Sequence, residues 1–222
     1  MIQQRLEEIL NNIEKTCSDC GRVPSEVTLI GVTKMKPIEM IREAFEAGLA
    51  HFGENYVEDF SAKQNDYHPS GLNYHFIGRL PTKKVRKVVG KAQLIHSVDS
   101  FKLAKKIDFV SSEEKVQQDL LVQVNQSGEL SKSGATPDSI KNLVGEILSL
   151  DNVSVKGLMS IPPFHEPARP YFSELSSLRD NLQKDLGIEL PFLSMGMSGD
   201  YVEAISEGAT HIRVGTSIFG ER

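Results

Sequence analysis

The chain has 222 residues, 39% of them hydrophobic, and sets 25 lysines and arginines against 30 aspartates and glutamates for a net charge of −5. That length can bury one substantial core, and a mildly acidic balance argues against nucleic-acid binding as the main role. No apolar run approaches the roughly 20 residues of a membrane span, and the charged amphipathic N-terminus lacks the basic-then-apolar order of a secretory leader, so a soluble cytoplasmic protein is expected.

Residues 2 to about 18 predict a helix with Ile2, Leu6, Ile9, Leu10 and Ile13 on one face and Gly21 closing it. Its end carries Cys17 and Cys20, the only cysteines. Two thiols in a chain this long suit a reducing compartment. No second pair accompanies this C-x-x-C spacing, so zinc is not expected, and a redox role would need a helix N-terminus. Packing plus incidental exposure is the expected fate of the pair.

Eight short apolar runs follow, each read as a strand: 27–33, 50–52, 74–77, 94–97, 119–124, 155–159, 192–195 and 211–214. Helical patterns separate them. Pro37 opens one at its first position, with Ile38, Ile41, Phe45 and Leu49 facing inward. Lys83, Lys84, Arg86, Lys87 and Lys91 make a basic helix face, read as solvated surface. Thr136-Pro137 opens another helix, in which Ile140, Leu143, Val144, Ile147 and Leu148 follow helical spacing. Tyr171, Leu175, Leu178 and Leu182 mark a third.

Strands alternating with helices leave two main architectures, a closed (β/α)8 barrel and an open doubly wound sheet. The count of eight strands and the lack of a G-x-G-x-x-G after the first favour the barrel, with the first helix as an addition. No repeat, low-complexity tract or linker divides the chain, so residues 1–222 are read as one domain.

The first run is apolar on both faces, as buried parallel strands are, and it ends in Lys34. The C-terminal rim of a barrel is where its chemistry gathers. A lysine desolvated there becomes a neutral amine able to form a Schiff base with an aldehyde. On the same rim Gly196-Met-Ser198-Gly199 follows the seventh strand and Gly215-Thr216-Ser217 the eighth. Barrels frequently bind phosphate between these two loops, using backbone N–H groups at a helix start; Ser198 and Thr216 add hydroxyls, and Asp200 slightly opposes the anion. A phosphate cup facing an amine implies a ligand with both a phosphate and an aldehyde, and pyridoxal 5'-phosphate fits that description.

Blander readings compete for the same residues. Lys34 is also readable as one more exposed lysine, while Lys36 is expected to be solvated beside Pro37. A buried Arg213 would need a carboxylate such as Glu54. His75 is expected to be a hydrogen-bonded core histidine before a general base. Asn55 is a candidate cap for a helix starting near Tyr56.

Six ordered motifs, Leu29-Ile-Gly-Val-Thr-Lys34-Met-Lys-Pro37, Phe52-Gly-Glu-Asn55-Tyr56, His75-Phe-Ile-Gly78, Gly157-Leu-Met159, Leu193-Ser-Met-Gly-Met-Ser198 and Arg213-Val-Gly-Thr-Ser-Ile-Phe-Gly220, resemble the pyridoxal phosphate homeostasis proteins. That family, also called the proline-synthetase-co-transcribed family, is a single barrel similar to the N-terminal domain of alanine racemase. The resemblance implies that Lys34 is the Schiff-base lysine. Ser198, Gly215 and Thr216 match phosphate contacts, Arg213 the arginine facing the pyridine nitrogen, and Asn55 a position lining the ring pocket. It also implies a role in vitamin B6 homeostasis by buffering or delivering the cofactor. Apo-enzymes would be the recipients, and the protein a monomer or weak dimer. Gly78-Arg-Leu-Pro-Thr-Lys-Lys84 departs from the family's Gly-His-Leu-Gln-x-Asn-Lys, so no role is carried over to that loop.

The alternative is a racemase-like enzyme. A charged arginine beside the ring nitrogen disfavours its protonation and weakens the ring as an electron sink. Racemases also draw an opposite-face tyrosine from a second domain, which is not expected in these 222 residues. A carrier is therefore the preferred reading, with no metal and no catalytic residue.

Overall fold

A computed structural model describes residues 1–128 and 133–221. Eight parallel strands close in sequence order, each neighbour hydrogen-bonded to the next and β8 to β1. They are β1 (Thr28–Val32), β2 (His51–Glu54), β3 (Asn73–Phe76), β4 (Leu94–Val98), β5 (Gln118–Val124), β6 (Val153–Ser160), β7 (Phe192–Met197) and β8 (His211–Val214). The helices are α1 (Ile2–Asp19), α2 (Ile38–Glu46), α3 (Val57–Asp66), α4 (Phe101–Glu114), α5 (Pro137–Ile147), α6 (Arg169–Leu186), α7 (Tyr201–Ser206) and α8 (Thr216–Phe219). This is the expected (β/α)8 barrel with an additional N-terminal helix.

The added helix has a structural reason. With four residues, α8 is too short to cover β8 and β1, and α1 packs against α2, α7 and α8 in its stead. Ile2, Leu6, Ile9, Ile13 and Cys17 are buried along its inner face, whereas Leu10 lies outside the stripe and is exposed. Arg22 pins the end of the helix to α7, donating from Nη1 to the carbonyls of Ile205 and Ala209, both at 2.8 Å. Cys17 and Cys20 are both free thiols, the first buried and the second exposed, in keeping with packing plus incidental exposure.

Two sequence expectations give way here. The basic stretch folds as a 3-10 helix, Thr82–Lys87, rather than an α-helix. Its charged face stays largely exposed, as expected, with Lys84 and Lys87 pairing with Glu58 and Arg86 with Glu113 and Glu114. Leu148, read as part of the inner face of α5, lies just past its end and is exposed.

Strand alternation sends Leu29, Phe52, Tyr74, Phe76, Leu120, Val122, Leu193 and Ile212 outward against the helices, where they join the main hydrophobic core. In β6 the alternation is reset. Leu120 pairs with Val155 and Leu121 with Gly157, so Lys156 is looped out as a bulge. Met159 thereby turns inward and packs with Leu94 and Leu121 in a second, smaller cluster inside the barrel.

The rim is braced where β1 and β2 end. Lys63 of α3 is buried and donates to Glu54 Oε1 at 2.6 Å and to the Thr33 carbonyl at 2.7 Å. Thr33 Oγ1 donates to the same carboxylate oxygen at 2.6 Å. Burial raises the Glu54 pKa, with the Lys63 charge and the two hydrogen bonds opposing that shift. The brace fixes the residue immediately before Lys34. Nearby, Gly78 lies so close to the Asn55 backbone that a Cβ there would overlap its carbonyl.

Lys63→Met strands the buried Glu54 charge and is expected to cost about 3–5 kcal/mol, with the double variant Glu54→Leu/Lys63→Met recovering much of the loss; denaturant unfolding measures both. Gly78→Ala is expected to cost about 1–3 kcal/mol by displacing the strand-two rim, read by the same titration.

Candidate functional site

A cavity of about 710 Å³ opens at the C-terminal ends of β1, β6, β7 and β8, and Lys34, Ser198, Arg213, Gly215 and Thr216 all line it. The loop 161–168 forms one wall, including the exposed Phe164 and Glu166, whose carboxylate accepts the Tyr171 hydroxyl. Asn55 lies instead in an adjoining cavity of about 360 Å³ with Gly78, Arg79 and Gln123, the two meeting at Ile161. Asn55 makes no side-chain cap on α3, whose first turn is preceded by Tyr56. Its buried Oδ1 has no protein partner among the described residues.

Lys34 sits in a tight turn after β1. The Lys36 amide donates to the Thr33 carbonyl at 3.0 Å, and Met35 adopts a left-handed φ of 59°, an uncommon conformation for a residue with a side chain. Lys34 is half-buried at this point. Lys36 is not simply solvated as expected: its Nζ donates to the carbonyls of Phe219, Gly220 and Glu221 at 3.3, 3.0 and 2.9 Å. Three carbonyls thus take the three donors that an ammonium has.

The opposite wall is assembled by backbone. The Gly215 amide donates to Ser198 Oγ at 3.2 Å, joining the loops after β7 and β8. Gly215 precedes α8; the Ile218 and Phe219 amides donate to the Gly215 carbonyl at 3.0 and 2.9 Å, so only the Thr216 and Ser217 amides lie ahead of the helix's own hydrogen-bond pattern. Asp200 lines this wall too, but its Oδ1 accepts the Met197 amide at 2.6 Å, closing the turn that carries Ser198.

Arg213 is buried at 4% exposure, and Glu54, the carboxylate suggested for it, is engaged by Lys63. The guanidinium instead donates from Nη1 to Ser194 Oγ at 2.6 Å and from Nη2 to the Ser160 carbonyl at 3.0 Å. Among the described residues no carboxylate forms an ion pair with it. Burial pushes its pKa down to about 10, with the more distant Asp200 charge working the other way. It is charged at neutral pH. The buried Ser160 Oγ, close to this anchor, has no protein partner among the described residues.

Beneath Arg213 the barrel interior holds histidines, most of which the sequence reading passed over. His75 is a core histidine as expected, but it belongs to a set with His51, His96 and His211. His51 Nδ1 lies 2.9 Å from His75 Nε2, His75 Nδ1 lies 3.0 Å from His96 Nε2, and His96 Nδ1 lies 2.8 Å from Ser194 Oγ. His211 bonds to Thr210 Oγ1 at 2.9 Å and packs its ring edge-on to His75 and His96. Burial first, then neighbouring charges, holds His75 and His96 well below the usual histidine pKa and His211 at about 4; burial alone lowers His51. A signal was present: four of the eight predicted strand runs contain a histidine, among six in the whole chain.

The family model described as "Alanine racemase, N-terminal domain" matches residues 5–222. The pyridoxal phosphate homeostasis protein of Aquifex aeolicus (strain VF5) is 45% identical over 222 residues, covering 99% of this chain and 97% of its own. The structure of PipY from Synechococcus elongatus PCC7942, solved with PLP bound, is similar with a TM-score of 0.87 and 36% identity, covering 99% of this chain and 100% of that one. An alanine racemase of Clostridium difficile 630 shares the fold, with a TM-score of 0.79 at 13% identity over 99% of this chain and 57% of its own. The barrel topology and these full-length similarities agree that the chain belongs to the alanine racemase N-terminal domain family and, within it, to the pyridoxal phosphate homeostasis proteins.

Proposed function

We propose that this chain binds pyridoxal 5'-phosphate in the 710 Å³ cavity and serves its homeostasis by holding the cofactor on Lys34 for buffering or delivery. The observation that carries the reading is the convergence of Lys34, Arg213 and the Ser198–Gly215–Thr216 wall on one cavity. Their chemistry suits the group. An amine answers an aldehyde, hydroxyls and backbone N–H groups answer a phosphate, and a guanidinium answers a ring nitrogen that accepts a hydrogen bond. When bound, the cofactor supplies an aldehyde that condenses reversibly with a primary amine.

The chain's own residues divide the work. Ser198, Gly215 and Thr216 hold the phosphate end, and Asn55 lines the adjoining side of the pocket. Arg213, charged and buried, keeps a proton off the ring nitrogen, which favours holding over carbanion chemistry. The relatives' name, a homeostasis protein rather than an enzyme, supports the same choice. The barrel shared with alanine racemase keeps one alternative in view, a racemase-like activity. Apo-enzymes that need the cofactor are the proposed recipients, within the cytoplasm, and residues 1–222 act as one domain.

Loaded protein is expected to be yellow, and borohydride is expected to fix the cofactor's mass on Lys34. Lys34→Ala should lose the label and at least tenfold in affinity, while Ser198→Ala and Thr216→Ala should each cost about two- to tenfold, the worth of one hydrogen bond. A label on Lys36, or none, overturns the assignment. Exchange of a substrate Cα proton with solvent deuterium would favour the racemase alternative. Delivery predicts transfer to an apo-enzyme faster than cofactor release.

A further inference from the structure

The interior histidines and Arg213 share a bookkeeping constraint that fixes more than contacts. A neutral imidazole offers one donor and one acceptor nitrogen. Burial keeps His75 and His96 neutral. Three neutral rings bonded in a line, His51 to His75 to His96, therefore have only two consistent proton orders. The protons all point toward Ser194, or all point away from it.

Ser194 decides between them. A guanidinium is always a donor, so the 2.6 Å bond from Arg213 arrives at the serine oxygen. The hydroxyl proton then needs an acceptor of its own. Among the described residues the other partner of Ser194 Oγ is His96 Nδ1, at 2.8 Å. If Ser194 donates there, every donor from Arg213 to His75 has an acceptor, and only His51 Nε2–H, on the least buried ring, points out of the line. In the reverse order His96 donates to Ser194 and the buried hydroxyl proton is left unpaired, the costlier arrangement. Ser194, His75 and His96 are all essentially buried, so bulk solvent does not relieve that cost.

We propose that Ser194 and His96, backed by His75 and His51, are positioning residues for Arg213: one polarised hydrogen-bond line, Arg213 to Ser194 to His96 to His75 to His51, in which all three imidazoles carry their proton on Nε2. The line holds one of the two guanidinium anchors, the Ser160 carbonyl being the other. It runs from the rim cavity down to His51, which lines a separate pocket beside α1. Its proton order is a property of the protein alone; its use in presenting Arg213 to a cofactor rests on the function proposed above.

Long-range 1H–15N spectra of the full chain, stripped of cofactor, read which nitrogen of each ring is protonated. His51, His75 and His96 are all expected as Nε2–H forms, and an Nδ1–H form at any of the three overturns the order. Ser194→Ala removes the deciding donor, so the nitrogens of His75 and His51, which Ser194 does not touch, are expected to shift toward mixed forms. Ser194→Thr, which keeps a hydroxyl, should restore them. A folded Ser194→Ala protein with His75 and His51 unchanged would sink the idea; if that variant fails to fold, the wild-type pattern decides alone. With pyridoxal 5'-phosphate added, Ser194→Ala should bind about three- to tenfold more weakly with a displaced absorption maximum, and unaltered binding and spectrum refute the positioning role. A wild-type chain that takes up no cofactor refutes the proposed function, while the histidine pattern still judges the line.

Discussion

A guanidinium charge buried inside the barrel with no ion-paired carboxylate among the described residues is the constraint that shapes this protein's interior. Arg213 is 4% exposed and leans on a serine hydroxyl and a backbone carbonyl. Barrels of this type usually fill their centre with branched aliphatic side chains. Here the apolar filling includes a small cluster of Leu94, Leu121 and Met159 and the buried Ile30 and Ile77 beside Gly53. Much of the remaining interior is imidazole and hydroxyl, which solvate a cation without neutralising it. An ion pair there would stabilise the charge more strongly, but would also tie the guanidinium to its own carboxylate. Neutral acceptors leave its positive field available to whatever lies in the cavity above.

The same economy governs the rim. Three lysines crowd the end of β1, and the fold gives two of them distinct sets of acceptors. Lys63 is anchored to Glu54 and the Thr33 carbonyl, and Lys36 to three carbonyls at the chain's end. Both are structural cations whose donors are engaged by protein oxygens. Lys34 lies between Thr33, whose carbonyl Lys63 holds, and Lys36, so it sits in a turn whose two sides are pinned, one to α3 and one to the segment after α8. Rigid neighbours are what allow a half-buried side chain in a turn to hold a fixed direction.

Much of this was legible in the chain. The fold followed from eight apolar runs and helical spacing, because burial on both faces of a parallel strand leaves a plain hydropathy signal. Lys34, Ser198, Arg213, Gly215 and Thr216 shared one cavity because strand ends in a closed barrel converge, whatever the helices do between them. Partners were harder to read. Glu54 and Arg213 looked complementary, yet alternation sends them to opposite sides of the barrel wall, Glu54 toward α3 and Arg213 inward. Lys36 looked solvated because its carbonyl partners belong to residues 219–221, nearly the whole chain away. Hydrogen bonds of that range leave no local pattern.

The histidines show why. Each of His51, His75 and His96 reads locally as an isolated polar residue in an otherwise apolar strand, an arrangement with an unfavourable burial cost. Only the strand order β2, β3, β4 makes them neighbours, and only the inward phase of each strand turns them toward one another. Once adjacent, every ring supplies the acceptor its neighbour needs, and the cost falls on the two ends of the line. One end is met by Arg213 through Ser194, a group that can only donate. The other is met at His51, the least buried of the set. A polar interior is therefore stable here because its donors all run one way, and that direction is imposed by the arginine at the rim.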